Sequence, residues 1–366
     1  MRSRICIFII AILVACFLTG CWDAMEISEH TIVTLIGLDR IDDKVQFTLE
    51  CKPTSEGVVS GKGNQSNILI SEGNDFTQAK NTYLRKSSHD IFLGAARELV
   101  FSDNFSRNGI EEYLNRLRGI GEYRRTITMF TTTTEINKLF TTKESSTGNI
   151  GYDIEQSSEQ LEEKGLIYNG RASNIFENTS NPNTGFLLGN LEVINEGIEI
   201  NGYSVFKNNK KIGFIPATTI KGANYLLLKK CNADYTVIME DVSISISTNL
   251  KHKEIETKYD GENIMFNLKV SLNLDLLYLS KEYRIDNEKM KALEKKLSDI
   301  VKRDILNAIE TSQKDFECDY FYFYKYFRAK YNSDFKNMNW NEKYKEAQFN
   351  VEVDAKVVPG NLVNFQ

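Results

Sequence analysis

Cys21 is the residue whose setting points most directly to a covalent reaction. It closes the stretch Leu18-Thr19-Gly20-Cys21, which follows Arg2, Arg4 and an almost unbroken apolar run from Ile5 to Phe17. A basic start, a short apolar run and small residues before a cut site make a secretory signal. The run is shorter than the about 20 apolar residues that span a bilayer comfortably. A Leu-x-Gly-Cys box at its end is the form in which the cysteine thiol takes a diacylglyceryl group before cleavage. Residues 1–20 are therefore expected to be removed, leaving Cys21 as a lipid attachment point rather than a nucleophile. Burial of acyl chains contributes about 0.8 kcal/mol per methylene, and two chains hold a protein on a membrane stably where one does not.

Other residues that could do chemistry lack partners at the required spacing. His30, His89 and His252 have no second His, Cys or Asp in a pattern such as HExxH or CxxC, so no metal and no cofactor is expected. Ser204-Val205-Phe206-Lys207 matches the S-x-x-K motif of penicillin-recognising enzymes. That chemistry needs the serine at the start of a helix. Here the alternating pattern predicts a strand, in which residues i and i+3 point to opposite faces. Hydrolase-elbow, P-loop and dinucleotide-binding glycine motifs do not occur. Carboxylates are plentiful, yet nothing selects one pair for glycosidase-like work. The densest aromatic cluster is Asp319–Phe327 (DYFYFYKYF). Phe316, Tyr320, Phe323 and Phe327 share one face of a helix predicted over 316–331. Tyr322, Tyr324 and Tyr326 fall elsewhere around it and are candidate partner contacts, with Trp22 and Asp23 beside the anchor.

The elements that must position these residues follow from periodicity. Thr31–Asp39 reads as a buried strand, and Val45, Phe47, Leu49 and Cys51 alternate with polar residues as a half-buried one does. Residues 55–67 are rich in Gly, Ser and Asn and read as a loop. Asn74 is placed to cap a helix carrying Phe76, Ala79, Tyr83 and Leu84 on one face. A strand over 91–101, a helix with Ile110, Tyr113, Leu114 and Leu117, a strand over 126–132 and a short helix around Leu139 follow. Two strands, 198–206 and 211–215, flank Asn208-Asn209, and Pro216 opens a short helical stretch. The last third alternates at Val242, Ile244 and Ile246, then from Ile264 to Leu274 after Asp260-Gly261. Asp286 caps a long helix with Met290, Leu293, Leu297, Ile300, Val301 and Ile305 on one stripe, and residues 349–357 close as a strand.

The predicted fold class is α+β: three mixed α/β domains, the last an antiparallel sheet with long helices packed on one face. The expected divisions are 1–20 (signal peptide), 21–190 (N-terminal mixed domain), 191–240 (small middle domain, hairpin plus helix) and 241–366 (C-terminal α+β domain). The chain is acidic, with 45 Lys and Arg against 50 Asp and Glu, and loses Arg2 and Arg4 with the leader. Such a body has no general attraction to nucleic acid or anionic lipid, so the lipid must hold it to the membrane. Cys51, Cys231 and Cys318 lie far apart and are expected as buried thiols rather than a disulfide framework.

These residues together resemble the Ger(x)C family of spore germination lipoproteins, the C subunits of germinant receptors. The resemblance is carried by Cys21-Trp22-Asp23-Ala24-Met25-Glu26-Ile27, by Thr31–Asp39, by Phe92-Leu93-Gly94 and by Gly202–Phe206 with Lys211–Phe214. It continues through Gln313-Lys314-Asp315-Phe316, Asp319, Asn339-Trp340-Asn341 and Pro359-Gly360. Phe321-Tyr322-Phe323-Tyr324-Lys325 stands where the family has an F-G-F-G-E-like stretch, and Ser204 where alanine is common. The resemblance implies a lipid-anchored, non-catalytic body of three α/β domains on the outer face of the spore inner membrane. Its implied partners are a multi-pass A subunit and a transporter-like B subunit, to which nutrient binding is attributed rather than to this chain. The alternative is a solute-binding lipoprotein that captures the germinant itself, which would need a cleft with convergent polar groups.

Overall fold

The structure is a computed structural model and describes residues 30–52, 66–85, 89–142, 145, 147–179, 184–195 and 197–358. Cys21, Trp22, Asp23, the leader, most of the 55–67 loop and Pro359-Gly360 lie outside the described residues.

Strand β1 (His30–Ile41) turns through Asp42 and Asp43, both at positive φ, into the antiparallel β2 (Lys44–Cys51). Two consecutive left-handed residues make the type I′ turn that suits a tight hairpin. β3 (Asn67–Gly73) adds an edge, and α1 (Phe76–Leu84) follows, its amide at Gln78 capped by Asp75 at 2.8 Å. The cap is thus one residue later than the expected Asn74. β4 (Asp90–Phe92), β5 (Glu98–Ser102), α2 (Asp103–Asn108), α3 (Glu111–Gly119) and β6 (Thr128–Thr132) come next. They are followed by α4 (Ile136–Phe140), α5 (Ile150–Glu163), α6 (Ala172–Thr179), β7 (Gly185–Ile194), β8 (Gly197–Lys207) and β9 (Lys210–Pro216).

Among the described residues these strands form one nine-stranded sheet ordered β3-β2-β1-β5-β6-β7-β8-β9, with β4 beside β1. Its centre, β1-β5-β6-β7, is parallel, and antiparallel hairpins flank it. Every residue of β5 and β6 is buried, as parallel strands covered on both faces must be. Alternation sends Ile36, Leu38, Leu99 and Phe101 to one core and Leu35, Val100 and Phe130 to the other.

The hairpin expected to found a separate middle domain is instead the last pair of strands in this sheet. β7 reverses at Asn195 (φ 49°) and pairs with β8 from Ile194↔Gly197 to Gly185↔Lys207. A lone two-stranded hairpin is marginal in water, and pairing along β7 satisfies its edge.

Helix α7 (Lys221–Leu227) leads to a second sheet of β10 (Asn232–Met239), β11 (Val242–Tyr259), β12 (Ile264–Leu279) and β13 (Gln348–Val357). Between β12 and β13 come α8 (Asn287–Glu310), a π turn (Thr311–Asp315), α9 (Phe323–Lys330), α10 (Asn332–Lys336) and α11 (Trp340–Glu346). β10, β11 and β12 are antiparallel as expected, but β13 runs parallel to β12. The helices carry the chain back across the sheet before β13 begins, and such a crossover returns a strand in the same direction. Asp286 caps α8 as expected, accepting the amides of Glu288 and Lys289 at 3.0 and 2.9 Å. Leu293, Leu297, Val301, Ile305 and Ile309 bury one stripe of α8, each contributing about 1.5–3 kcal/mol.

The single helix expected over 316–331 is also corrected. The chain leaves the π turn, passes through left-handed Glu317 (φ 48°) and Tyr322 (φ 64°), and becomes helical again only at Phe323.

Candidate functional site

The break in that helix is organised by Asp319. Its side chain is fully buried, and Oδ1 accepts the amide N–H of Phe323 at 3.0 Å. Oδ2 accepts the amide N–H of Tyr324 at 2.8 Å and the indole N–H of Trp340 at 3.0 Å. A carboxylate at a helix start meets donors that have no partner within the helix, here those of α9. Burial pushes the Asp319 carboxyl up to about 6, against the pull of these N–H groups. Alongside, the Gln313 amide donates to the carbonyls of Tyr344 and Ala347 at 2.7 and 2.9 Å, and Ser312 Oγ bonds Tyr344 Oη.

The same region grips the first sheet. A Cβ on Gly213 of β9 would lie 2.1 Å from the Phe316 ring, so only glycine lets that ring lie against the strand. Lys207 Nζ donates to the Glu317 carbonyl at 2.8 Å, the Gly185 amide donates to the Asp319 carbonyl at 3.2 Å, and Lys325 pairs with Glu177 at 3.1 Å. Gly213, Gln313, Phe316, Asp319 and Trp340, read from three distant parts of the sequence, thus meet in one junction between the two sheets.

The candidate aromatic contacts divide. Tyr322 is half-buried, its hydroxyl 3.4 Å from that of Tyr168 and its phenol held well above the usual range by burial. Tyr324 is 1% exposed and stacks on Phe335, so its side chain is core and offers no face to a partner. The reason is the late start of α9, which rotates Tyr324 inward behind Phe323. Tyr326, 40% exposed, is the one of the three that presents a large open surface.

Residues with a chemical motif are spent on structure. Ser204 Oγ bonds Thr131 Oγ1 at 2.7 Å within the first sheet, whereas Lys207 reaches Glu317, so the S-x-x-K pair does not meet. The Ser102-Asp103-Asn104 stretch caps and anchors α2. Ser102 Oγ accepts the Phe105 amide at 3.0 Å, and Asp103 pairs with the buried Lys211 at 2.7 Å. Cys51, Cys231 and Cys318 are buried free thiols, each pushed up to about 12 by burial.

Two charged groups, the buried Glu50 and the half-buried Lys253, also escaped the sequence reading. Glu50 caps α5 from a neighbouring strand, accepting the amides of Ile150 and Gly151 at 2.6 and 2.8 Å. Lys253 donates to the carbonyls of Tyr225, Leu226 and Leu228 at the end of α7. Both sit on alternating strands, where period alone marks a polar residue as outward; a covering helix end makes that face interior.

Beside the junction lies a cleft of about 400 Å³, walled by β9, α7, α8 and the π turn. Its walls approach closely because a Cβ on Gly222 of α7 would come within 2.0 Å of the Asp304 carbonyl of α8. Lys221 Nζ at the rim donates to the Asp234 carbonyl and sits 4.3 Å over the Tyr235 ring, and Asp304 accepts the Tyr235 hydroxyl at 2.9 Å. The carboxylate of the junction has a donor for each oxygen.

Comparison with known proteins agrees with this organisation. A family model described as spore germination protein N-terminal domain matches residues 23–193. A second, described as spore germination B3/GerAC like, C-terminal, matches residues 201–359. Spore germination protein KC of Bacillus subtilis (strain 168) is 27% identical over 120 residues, covering 30% of this chain and 29% of that protein. The crystal structure of the GerBC protein superposes with a TM-score of 0.55 at 14% identity, covering 88% of this chain and 96% of that one.

Proposed function

The chain belongs to the Ger(x)C family of spore germination proteins, and on that premise we propose that it is the lipid-anchored, non-catalytic C subunit of a germinant receptor. The observation that carries this reading is the pair of family matches over 23–193 and 201–359, directly behind the Leu18-Thr19-Gly20-Cys21 box. In this reading the diacyl group on Cys21 confines the body to the outer face of the spore inner membrane. That confinement raises its effective concentration for A-type and B-type subunits there. The folded domains then complete or stabilise the receptor.

Two features support a structural rather than a catalytic role. The motif residues that run through the last third are consumed in the buried junction around Asp319, where every carboxylate oxygen already has a donor. Ser204 and the three thiols are buried in the core, and Lys207 is spent on the Glu317 carbonyl. No helix among the described residues is long and apolar enough to cross a membrane, so attachment in this reading rests on the lipid.

The test is Cys21→Ala in the native spore former. The expected result is loss of the chain from the spore inner-membrane fraction, a lowered level of its A and B partners and slowed nutrient germination. A normal receptor level with normal germination would overturn the reading.

A further inference from the structure

The end of the first sheet from which β1 starts carries an aromatic and basic surface that the fold leaves open. Eight residues, 22–29, separate Cys21 from His30, the first described residue. At about 3.3–3.6 Å per residue of extended chain, such a tether spans about 30 Å at most. A lipid on Cys21 therefore brings whatever surrounds His30 to the bilayer.

β4 runs beside the first residues of β1, pairing Asp90 with His30 and Phe92 with Ile32. Its alternation turns Ile91 inward and leaves Phe92 39% exposed. The ring is nonetheless held in place. The His30 ring meets it edge-on at 6.3 Å, and a Cβ on Gly94 would come within 2.9 Å of it. That same Cβ position lies 3.4 Å from the Glu122 carbonyl, so the loop that carries Arg124 and Arg125 passes beside Phe92. On the other side of β1, the Lys52 amide donates to the Ile32 carbonyl at 2.9 Å. Helix α1 ends at Arg85, two residues past Tyr83, whose hydroxyl bonds Thr31 Oγ1 at 3.1 Å.

Lys52, Arg85, Arg124 and Arg125 are all exposed and form no ion pair among the described residues. The acids alongside are Asp90 and Glu122, and Glu122 is already paired with Lys80 at 2.9 Å. This local excess of cations stands against the acidic balance of the whole chain. Basic side chains around an open aromatic ring suit a bilayer interface, where the ring meets the acyl boundary and the cations meet anionic headgroups.

We propose that this end of the first sheet lies on the membrane surface, with Phe92 at the headgroup boundary and Lys52, Arg85, Arg124 and Arg125 against anionic headgroups. The proposal rests on the anchor reading of Cys21 and deepens it: the acyl chains hold the body, and the patch orients it.

The test places the purified lipidated chain, with no other protein, on vesicles of phosphatidylcholine and phosphatidylglycerol. Flotation with the vesicles reports the anchor. A nitroxide on Phe92→Cys should be shielded from an aqueous nickel chelate several-fold more than one on Tyr278→Cys, an exposed site on β12. Cys51, Cys231 and Cys318 are too buried to take the label. Arg124→Glu with Arg125→Glu should open position 92 to the chelate several-fold while flotation stays unchanged. Both arginines are exposed and lend the fold only backbone carbonyls, so the fold survives. Equal access at 92 and 278 on chains that float would overturn the proposal and leave the patch to a protein partner. Shielding unchanged in the double glutamate variant would overturn it too. A lipidated chain that fails to float would overturn the anchor reading and this proposal with it.

Discussion

Trp340 donates its indole N–H to Asp319 Oδ2 across 3.0 Å, and the carboxylate so held also fixes the first turn of α9. One buried acid thus joins α11, α9 and the chain segment that touches β9. Removing a partner from such a group leaves charge or a donor unmet in the interior, a costlier event than losing a surface contact.

Asp319 gives the fold a signature in acid. Its folded value of about 6 lies above the ordinary 3.8, so between those values the native chain binds more protons than the unfolded one. The contribution of this group to stability is therefore full below about pH 4 and is lost as pH rises through 6. The difference amounts to about 3 kcal/mol, at 1.36 kcal/mol per unit. Asp319→Asn should remove that slope while lowering stability at pH 7 by about 1–3 kcal/mol through an N–H left facing an amide group. Urea unfolding from pH 4 to 7, compared between the two chains, checks both; an unchanged slope in the variant would refute the assignment.

Gly213 should tolerate no side chain while Phe316 stands against it. Gly213→Ala is expected to cost about 1–3 kcal/mol through overpacking. Phe316→Leu costs stability by itself but opens room, so the double variant should be more stable than the sum of the single losses predicts. Additive losses in thermal or urea unfolding would show that the two residues do not bear on each other.

Lys253 should make stability rise on the alkaline side. Burial depresses its ammonium to about 8 from the ordinary 10.5, so between those values the unfolded chain holds the extra proton. Stability then climbs with pH through that window, and Lys253→Met should flatten the climb. The same variant should speed hydrogen exchange in the last turn of α7, whose carbonyls lose their cap. Equal slopes from pH 7.5 to 10.5 in both chains would count against the cap.

Much of the architecture was legible because periodicity belongs to consecutive residues. Alternation at Ile264–Leu274 and the stripe from Leu293 to Ile305 announce β12 and α8, and Asn208-Asn209 announces its hairpin turn at φ 50° and 60°. Tyr324 was misplaced for the opposite reason. Its helical register is set by where α9 starts, and that start is set by the Asp319 carboxylate and a tryptophan far along the chain.

By itself the sequence determined the type of nearly every element, the acidic charge balance and the order of motifs that marks the family. Those are properties of neighbours along the chain. The tertiary structure alone decided that β8 and β9 extend the first sheet and that β13 lies parallel to β12. It also decided that Glu50 and Asp319 are interior and that Lys253 caps the end of α7. Each of those outcomes depends on which distant surface covers a residue, and burial by a distant surface has no local period to read.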